Sequence, residues 1–257
     1  MRLLRALRSL LGVLLCLFGL GVVAPTTWYF YFLPKSLLHP QQRTQIGFDW
    51  VSSIARWLVW ALQLGGARFE FEGIIDGQIP SIVIMNHQSI LDIPPLIHIM
   101  TTGLPRFVVR ARYTRFIPTV SRAIRLIGCI TVDPKRDRAA AVLALYNAAK
   151  QGLKYPILLY PEGHRSKDGE LLPFRPAGLT ALLQPRPLHV WTIVHDGMWR
   201  LRKLTDTFFA LSSVRCRMRV VDCVMSPDDP EDLPAFIEGR RQKMLEELAK
   251  LRAEPAS

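Results

Sequence analysis

The stretch Asn86-His87-Gln88-Ser89-Ile90-Leu91-Asp92 sets an imidazole and a carboxylate five residues apart, directly behind the apolar run Ser81 to Met85. Such a pair can act as a general base: a neutral imidazole takes a proton while a carboxylate fixes its tautomer. Five helical steps of about 100° leave two side chains roughly 140° apart, so the two cannot share one helical face. His87 is therefore expected in a turn behind a strand, with Asp92 in or near the first turn of the helix that Pro94 and Pro95 open. Folded back, the carboxylate would accept from one ring nitrogen and leave the other toward a substrate. The rival reading is that Asp92 merely caps that helix.

A second stretch, Tyr160-Pro161-Glu162-Gly163-His164-Arg165-Ser166, follows the short apolar run Pro156 to Tyr160 and reads as another loop at a strand end. Arg165 offers a planar fork suited to a phosphate monoester, and Gly163 lets backbone approach a ligand. Glu162 can hold Arg165 or a ligand hydroxyl. The competing reading for an isolated loop arginine is a solvated side chain, and the lone His164 reads as structural or solvent-facing.

His-x4-Asp followed about seventy residues later by Pro-Glu-Gly-x-Arg-Ser resembles the motif pair of the glycerolipid acyltransferases, specifically the 1-acylglycerol-3-phosphate acyltransferase family. The resemblance runs roughly from Phe69 to Val194. It implies transfer of a fatty acyl group from acyl-CoA or acyl-ACP to the free hydroxyl of 1-acyl-sn-glycerol 3-phosphate, giving phosphatidic acid. His87 would be the base, Asp92 its orienting acid, and Glu162, Gly163 and Arg165 the acceptor-binding loop. The thioester is already activated, so neither Ser89 nor Cys129 is needed as a nucleophile, and Ser89 and Gln88 shape the turn. The implied cofactor set is empty, with acyl-CoA or acyl carrier protein entering as a substrate. Two regions depart from the family pattern. Pro134 stands where an Arg usually follows Asp133, with Lys135 and Arg136 read either as substitute phosphate ligands or as a solvated basic turn, and the proline of the fourth block is absent from His189 to Val194. These departures bear on the acceptor or acyl-chain preference and leave His87 and Asp92 in place; the alternatives are a different lysolipid acceptor or, as a separate class, a catalytically silent membrane adaptor on the same fold.

The elements needed to position these loops are legible as alternation. Strands are expected at Ala67 to Glu72, Ser81 to Met85, Phe107 to Arg110, Gly128 to Val132, Leu188 to Val194 and Arg215 to Val221. Helices are expected at Pro118 to Ile127, at Arg138 to Gln151 and at Leu233 to Leu251. The middle helix should face inward through Ala139, Val142, Leu143, Tyr146 and Ala149. The last should do so through Phe236, Ile237, Met244, Leu248 and Leu251. The expected fold class is α/β: one acyltransferase domain, residues 67–257, with a central sheet flanked by helices, behind a membrane-embedded helical segment, residues 1–66.

Charge and hydropathy point the same way. A net charge of +12, from 33 Lys and Arg against 21 Asp and Glu, implies a polyanionic partner, either nucleic acid or an anionic membrane surface. No zinc-finger or RNA-recognition motif is present, and the basic residues are not interleaved with aromatics, so no nucleic-acid partner is expected. The four cysteines form no Cys-x-x-Cys pair, which argues against a zinc site and structural disulfides. Residues 9–33 carry no charge and are long enough to enter a bilayer, with Arg2, Arg5 and Arg8 before them and Trp28, Tyr29 and Tyr31 near the far end. Val22-Val23-Ala24 would suit a cleaved signal peptide, but Pro25 follows at once. A single crossing from a cytosolic N-terminus would strand the domain away from a cytosolic donor. The second segment, Gly47 to Leu64, is therefore read as the return arm of a helical hairpin that re-emerges or lies partly within one leaflet, with the domain facing the cytosol at the inner or cytoplasmic membrane; the rival reading is a simple anchor followed by a core helix. The expected partners are membrane lipids, the lysophospholipid acceptor and the acyl donor.

Overall fold

The computed structural model describes residues 2–115 and 117–254; Met1 and the last three positions of the expected 67–257 domain lie outside them. Two helices come first, α1 (Leu3–Leu38) and α2 (Arg43–Leu64). Arg8 Nε donates to Leu64 O at 2.8 Å, Trp57 Nε1 to Leu15 O at 3.1 Å, and Trp50 Nε1 to Thr27 Oγ1 at 2.9 Å. Positions rise along one helix as they fall along the other, so the pair is an antiparallel hairpin. Glycine permits the close approach: a Cβ on Gly12 would sit 2.6 Å from Gly65 Cα. Ala24 and Phe32 are fully buried, whereas Tyr29, Phe30 and Tyr31 between them are exposed. The opposite face of α1 leaves Leu3, Leu4, Leu7, Leu14, Leu37 and Leu38 exposed.

The chain then alternates as β1 (Arg68–Glu72), β2 (Ser81–Met85), α3 (Ile93–His98), β3 (Arg106–Arg110), α4 (Pro118–Leu126) and β4 (Ile130–Val132). It continues as α5 (Arg138–Lys150), β5 (Ile157–Leu159), α6 (Pro176–Leu183), β6 (His189–Asp196), β7 (Arg215–Met225) and α7 (Leu233–Ala253). These seven strands form one mixed sheet in the order β1-β7-β6-β2-β5-β3-β4. From β6 to β4 neighbours run parallel; β7 lies antiparallel to β6, and β1 runs parallel to β7. A separate ladder pairs Ile75–Asp76 with Met100–Thr102.

Helices cover both faces, and alternate β2 residues divide between them. Val83 and Met85 pack with Phe48, Trp50, Val51 and Leu58 of α2, whereas Ile82 and Ile84 pack with α5, α6 and α7. All five β2 residues are buried, as expected of a central parallel strand with both faces covered. β1 is held in register by charge. Glu70 and Glu72 lie opposite Arg217 and Arg219, with Nε to Oε2 distances of 3.1 and 2.6 Å.

One expectation needs correction. α5 faces inward through Ala141, Leu145 and Ala149, while Leu143 is exposed and Val142 and Tyr146 are half-buried. An alanine-rich helix is apolar nearly all round, and the fit of Leu145 against Gly178 in α6, 3.5 Å from an added Cβ, selects the face. α6 itself has no counterpart in the sequence reading, because a short apolar run carries no periodicity to separate helix from strand.

The turn after β6 is fixed by Gly197, whose φ is 97° and whose added Cβ would lie 1.8 Å from the Arg215 carbonyl oxygen. Gly197→Ala is expected to destabilise the protein by more than ~2 kcal/mol. Thermal unfolding in detergent checks this, and a variant as stable as the parent would show that the two strands have room to separate here.

Candidate active site

The strands that run parallel present their carboxyl ends at one edge of the sheet, where three chain segments meet. Behind β2, Asn86 extends the ladder with its side chain. It accepts from His195 N at 2.9 Å and donates to His195 O at 2.8 Å, so the loop leaves the sheet in a fixed direction. Gln88 is likewise held on both sides: its amide donates to Asp196 Oδ1 and Gly169 O and accepts from Met198 N and Trp199 N. Ser89 Oγ donates to the Leu201 carbonyl and accepts from Leu91 N. Both residues shape the turn. Cys129, half-buried, has its thiol pushed up to about 12 by burial, against the pull of the Phe107 backbone and Arg106, so it carries little nucleophilic thiolate.

In the turn so formed, His87 Nδ1 lies 2.8 Å from Asp92 Oδ2. The same oxygen accepts from Gln88 N and Ser89 N, each at 2.9 Å. Asp92 stands just before α3 yet makes no side-chain cap bond to it, so the cap reading is set aside. The carboxylate is fully buried. Burial alone would raise it, but the neighbouring His195 imidazole, the bond and charge of His87 and the Ser89 amide together hold it below its ordinary value. With Asp92 ionised, a neutral His87 would carry its proton on Nδ1 and leave Nε2 with a free lone pair. The His87 side chain keeps 22% exposure, so that nitrogen is reachable. Tyr160 stacks on the ring at 3.9 Å between centroids and 16° between planes, fixing its tilt.

The second loop fastens to the first by backbone. Ser166 N donates to His87 O at 2.8 Å, and Glu162 Oε1 accepts from His87 N at 2.6 Å. Glu162 Oε2 accepts from Leu172 N at 2.8 Å. The expected hold of Glu162 on Arg165 or a ligand hydroxyl therefore differs from what is found: both oxygens are spent on amides, and Glu162 clamps the His87 turn. Arg165 Nη1 donates to the Arg202 carbonyl, which leaves the rest of its fork without a protein partner among the described residues. Gly163 is exposed with φ 68°, and His164 is exposed as expected. Desolvation and then Arg175, Arg110 and Lys135 depress the His164 imidazole, which locates three further cations around this loop.

Sequence reasoning missed three of these residues. His195 is fully buried, with Nε2 2.9 Å from the Asn86 carbonyl oxygen and 3.7 Å from Asp92 Oδ2. Its only signal was position, one residue before the end of β6 at the site edge. Tyr160 was visible only as the last apolar residue of its run, and Arg175 lay outside both motifs. Among the described residues no cluster of side chains is arranged to hold a metal.

Burial first, with the charge of Asp92, raises Glu162 from 4.5 to about 7 against the Leu172 and His87 amides. Between about pH 4.5 and 7 the folded protein then holds a proton that the unfolded chain has released, so this group lowers stability as pH rises through that window. Glu162→Gln should flatten the decline of melting temperature over that window relative to the parent. Parallel curves would contradict the raised value.

A family model described as Acyltransferase matches residues 68–196, about half of the chain. Among curated relatives, 1-acyl-sn-glycerol-3-phosphate acyltransferase alpha of Mus musculus is 27% identical over 193 residues, 73% of this chain and 66% of that protein. The beta form of Homo sapiens is 23% identical over 193 residues, 72% and 67% respectively. The Cocos nucifera 1-acyl-sn-glycerol-3-phosphate acyltransferase is 26% identical over 170 residues, 64% and 53%. The chain thus spans about two thirds or less of the length of these relatives. The crystal structure of the 1-acyl-sn-glycerophosphate (LPA) acyltransferase PlsC from Thermotoga maritima superposes with a TM-score of 0.74 at 19% identity, covering 98% of this chain and 100% of that one, which shows a shared fold. Since the matched region runs from β1 to the end of β6 and contains both loops, the chain belongs to the Acyltransferase family.

Proposed function

We propose that this chain transfers a fatty acyl group from an acyl thioester, acyl-CoA or acyl-ACP, to the free hydroxyl of 1-acyl-sn-glycerol 3-phosphate, producing phosphatidic acid. The observation that carries the proposal is the 2.8 Å contact between His87 Nδ1 and a buried Asp92 carboxylate, with Nε2 lacking a hydrogen-bond partner among the described residues. Nε2 takes the acceptor's hydroxyl proton as its oxygen attacks the thioester carbonyl carbon. Asp92 steadies the imidazolium that results. The C–S bond then breaks, and the proton passes from His87 to the departing thiolate, leaving an ester, a thiol and a neutral histidine. No covalent enzyme intermediate is required.

Acceptor phosphate binding is assigned to the loop carrying Gly163 and Arg165, with Glu162 holding that loop to the base. The unspent part of the Arg165 fork and the cations Arg175, Arg110 and Lys135 support this assignment. That the relatives are 1-acyl-sn-glycerol-3-phosphate acyltransferases supports the acceptor's identity. The exposed leucines of α1 favour insertion of that helix into a bilayer, which delivers a lipid acceptor, while the donor arrives from the cytosolic side.

Purified protein offered several lysolipids with one acyl thioester tests the reading. Phosphatidic acid from the lysophosphatidic acceptor should dominate, monoacylglycerol should be a poor substrate, and His87→Ala should lose about 10² to 10⁴ fold in rate. A folded His87→Ala protein with near-normal turnover would end the mechanism, and preferential acylation of another lysolipid would move the acceptor assignment.

A further inference from the structure

Four guanidinium groups converge away from the dyad. Arg5 and Arg8 come from the first turns of α1, and Arg68 and Arg215 are the first residues of β1 and β7. Together with Ser212 and Ser213 they line a cavity of about 330 Å³. Because β1 and β7 run opposite to the site strands, their first residues open on the same edge of the sheet as His87. β1 lies three strands from β2, a lateral separation of about 14 Å at ~4.8 Å per strand.

The cluster is held in place but not neutralised. Arg8 Nε donates to Leu64 O at 2.8 Å, and Arg215 Nη1 donates to Val214 O at 2.8 Å. Arg68 and Arg215 are directly paired in register. No carboxylate among the described residues forms an ion pair with any of the four. Desolvation, then Arg68, Arg5 and Arg8, depress the Arg215 guanidinium, as expected where like charges crowd. Such a group of forks is stabilised by an anion that several can engage at once.

The position identifies the anion's source. The two α1 arginines are interleaved with Leu3, Leu4 and Leu7, all exposed, so the cavity opens where the apolar surface of α1 begins. In a bilayer that is the headgroup level. We propose that this cavity is a binding site for the phosphate of an anionic glycerophospholipid, distinct from the acceptor loop, which seats the sheet edge on an anionic membrane. The proposal rests on the membrane insertion of α1 in the reading above, though not on the chemistry of the dyad.

The test uses the full chain and flotation with phosphatidylcholine vesicles, with and without phosphatidylglycerol. Wild-type binding should rise when phosphatidylglycerol is present. Arg68→Gln/Arg215→Gln should lose about fivefold of that rise per arginine, at roughly 1 kcal/mol each, while still binding phosphatidylcholine. Arg5→Gln/Arg8→Gln should do the same from the other wall of the cavity, so the outcome does not hang on the folding of one variant. Arg68→Lys/Arg215→Lys separates a site from diffuse attraction: a forked site stays impaired, whereas full recovery with lysine overturns it. Phosphatidylglycerol-independent binding by the wild type, with phosphatidylcholine binding retained, overturns the site alone. Failure to bind either vesicle overturns the membrane reading as well. Free coenzyme A forms the second arm. Arginine-dependent binding of it, without any phosphatidylglycerol effect, would assign the cavity to a soluble phosphate and reject the lipid.

Discussion

A carboxylate with no exposure to water must be compensated where it sits, and much of the site follows from the burial of Asp92. One oxygen collects an imidazole nitrogen and two backbone amides within 2.9 Å. Those bonds require the turn from His87 to Ser89 to curl back over the start of α3, and the turn in turn requires the anchors of Asn86, Gln88 and Ser89 on the far chain. Burying a charge costs several kcal/mol unless such partners are supplied. The arrangement that keeps Asp92 ionised is therefore the one that orients His87. Glu162 shows the contrast: buried as well, but facing only two amides, it is raised to about 7. Two acids in one site are thus held apart by their surroundings.

The sheet gives this local arrangement its reach. Strands β2, β5 and β6 run parallel, so three loops distant in sequence end side by side. The reversal at β7 then turns the outer edge over, and it brings the starts of β1 and β7, with their arginines, to the same edge as the dyad. The ion pairs of Arg217 and Arg219 with Glu70 and Glu72 hold the outer strand in register, and Arg217 and Arg219 also reach Glu254 beyond α7. The basic excess is accordingly uneven: paired along the β1/β7 ladder, and without an ion pair among the described residues at Arg5, Arg8, Arg68 and Arg215.

Much of this was legible in the sequence where the causes are local. Apolar runs bounded by turn residues placed each strand of the main sheet within a few residues, and the five-residue offset of His87 and Asp92 already required a turn. What was hidden depends on partners remote in the chain. Glu162 meets His87 N across 75 residues and His195 meets Asn86 across 109, and no spacing rule connects them. Arg165 looked like a free fork because the Arg202 carbonyl that takes one of its nitrogens lies 37 residues on. The inward face of α5 was misjudged for the opposite reason: its composition is too uniformly apolar to prefer a face before α6 is packed against it.

The central claim is that a buried, ionised Asp92 holds neutral His87 with its proton on Nδ1 and its lone pair on Nε2. Nitrogen-15 spectra of histidine-labelled protein read this directly, with the six histidines sorted by comparison with His87→Gln. The account predicts an Nδ1–H tautomer for His87 at neutral to mildly alkaline pH, with a strongly deshielded proton that moves upfield in Asp92→Asn. An Nε2–H tautomer in the wild type, or a spectrum indifferent to Asp92→Asn, would contradict it.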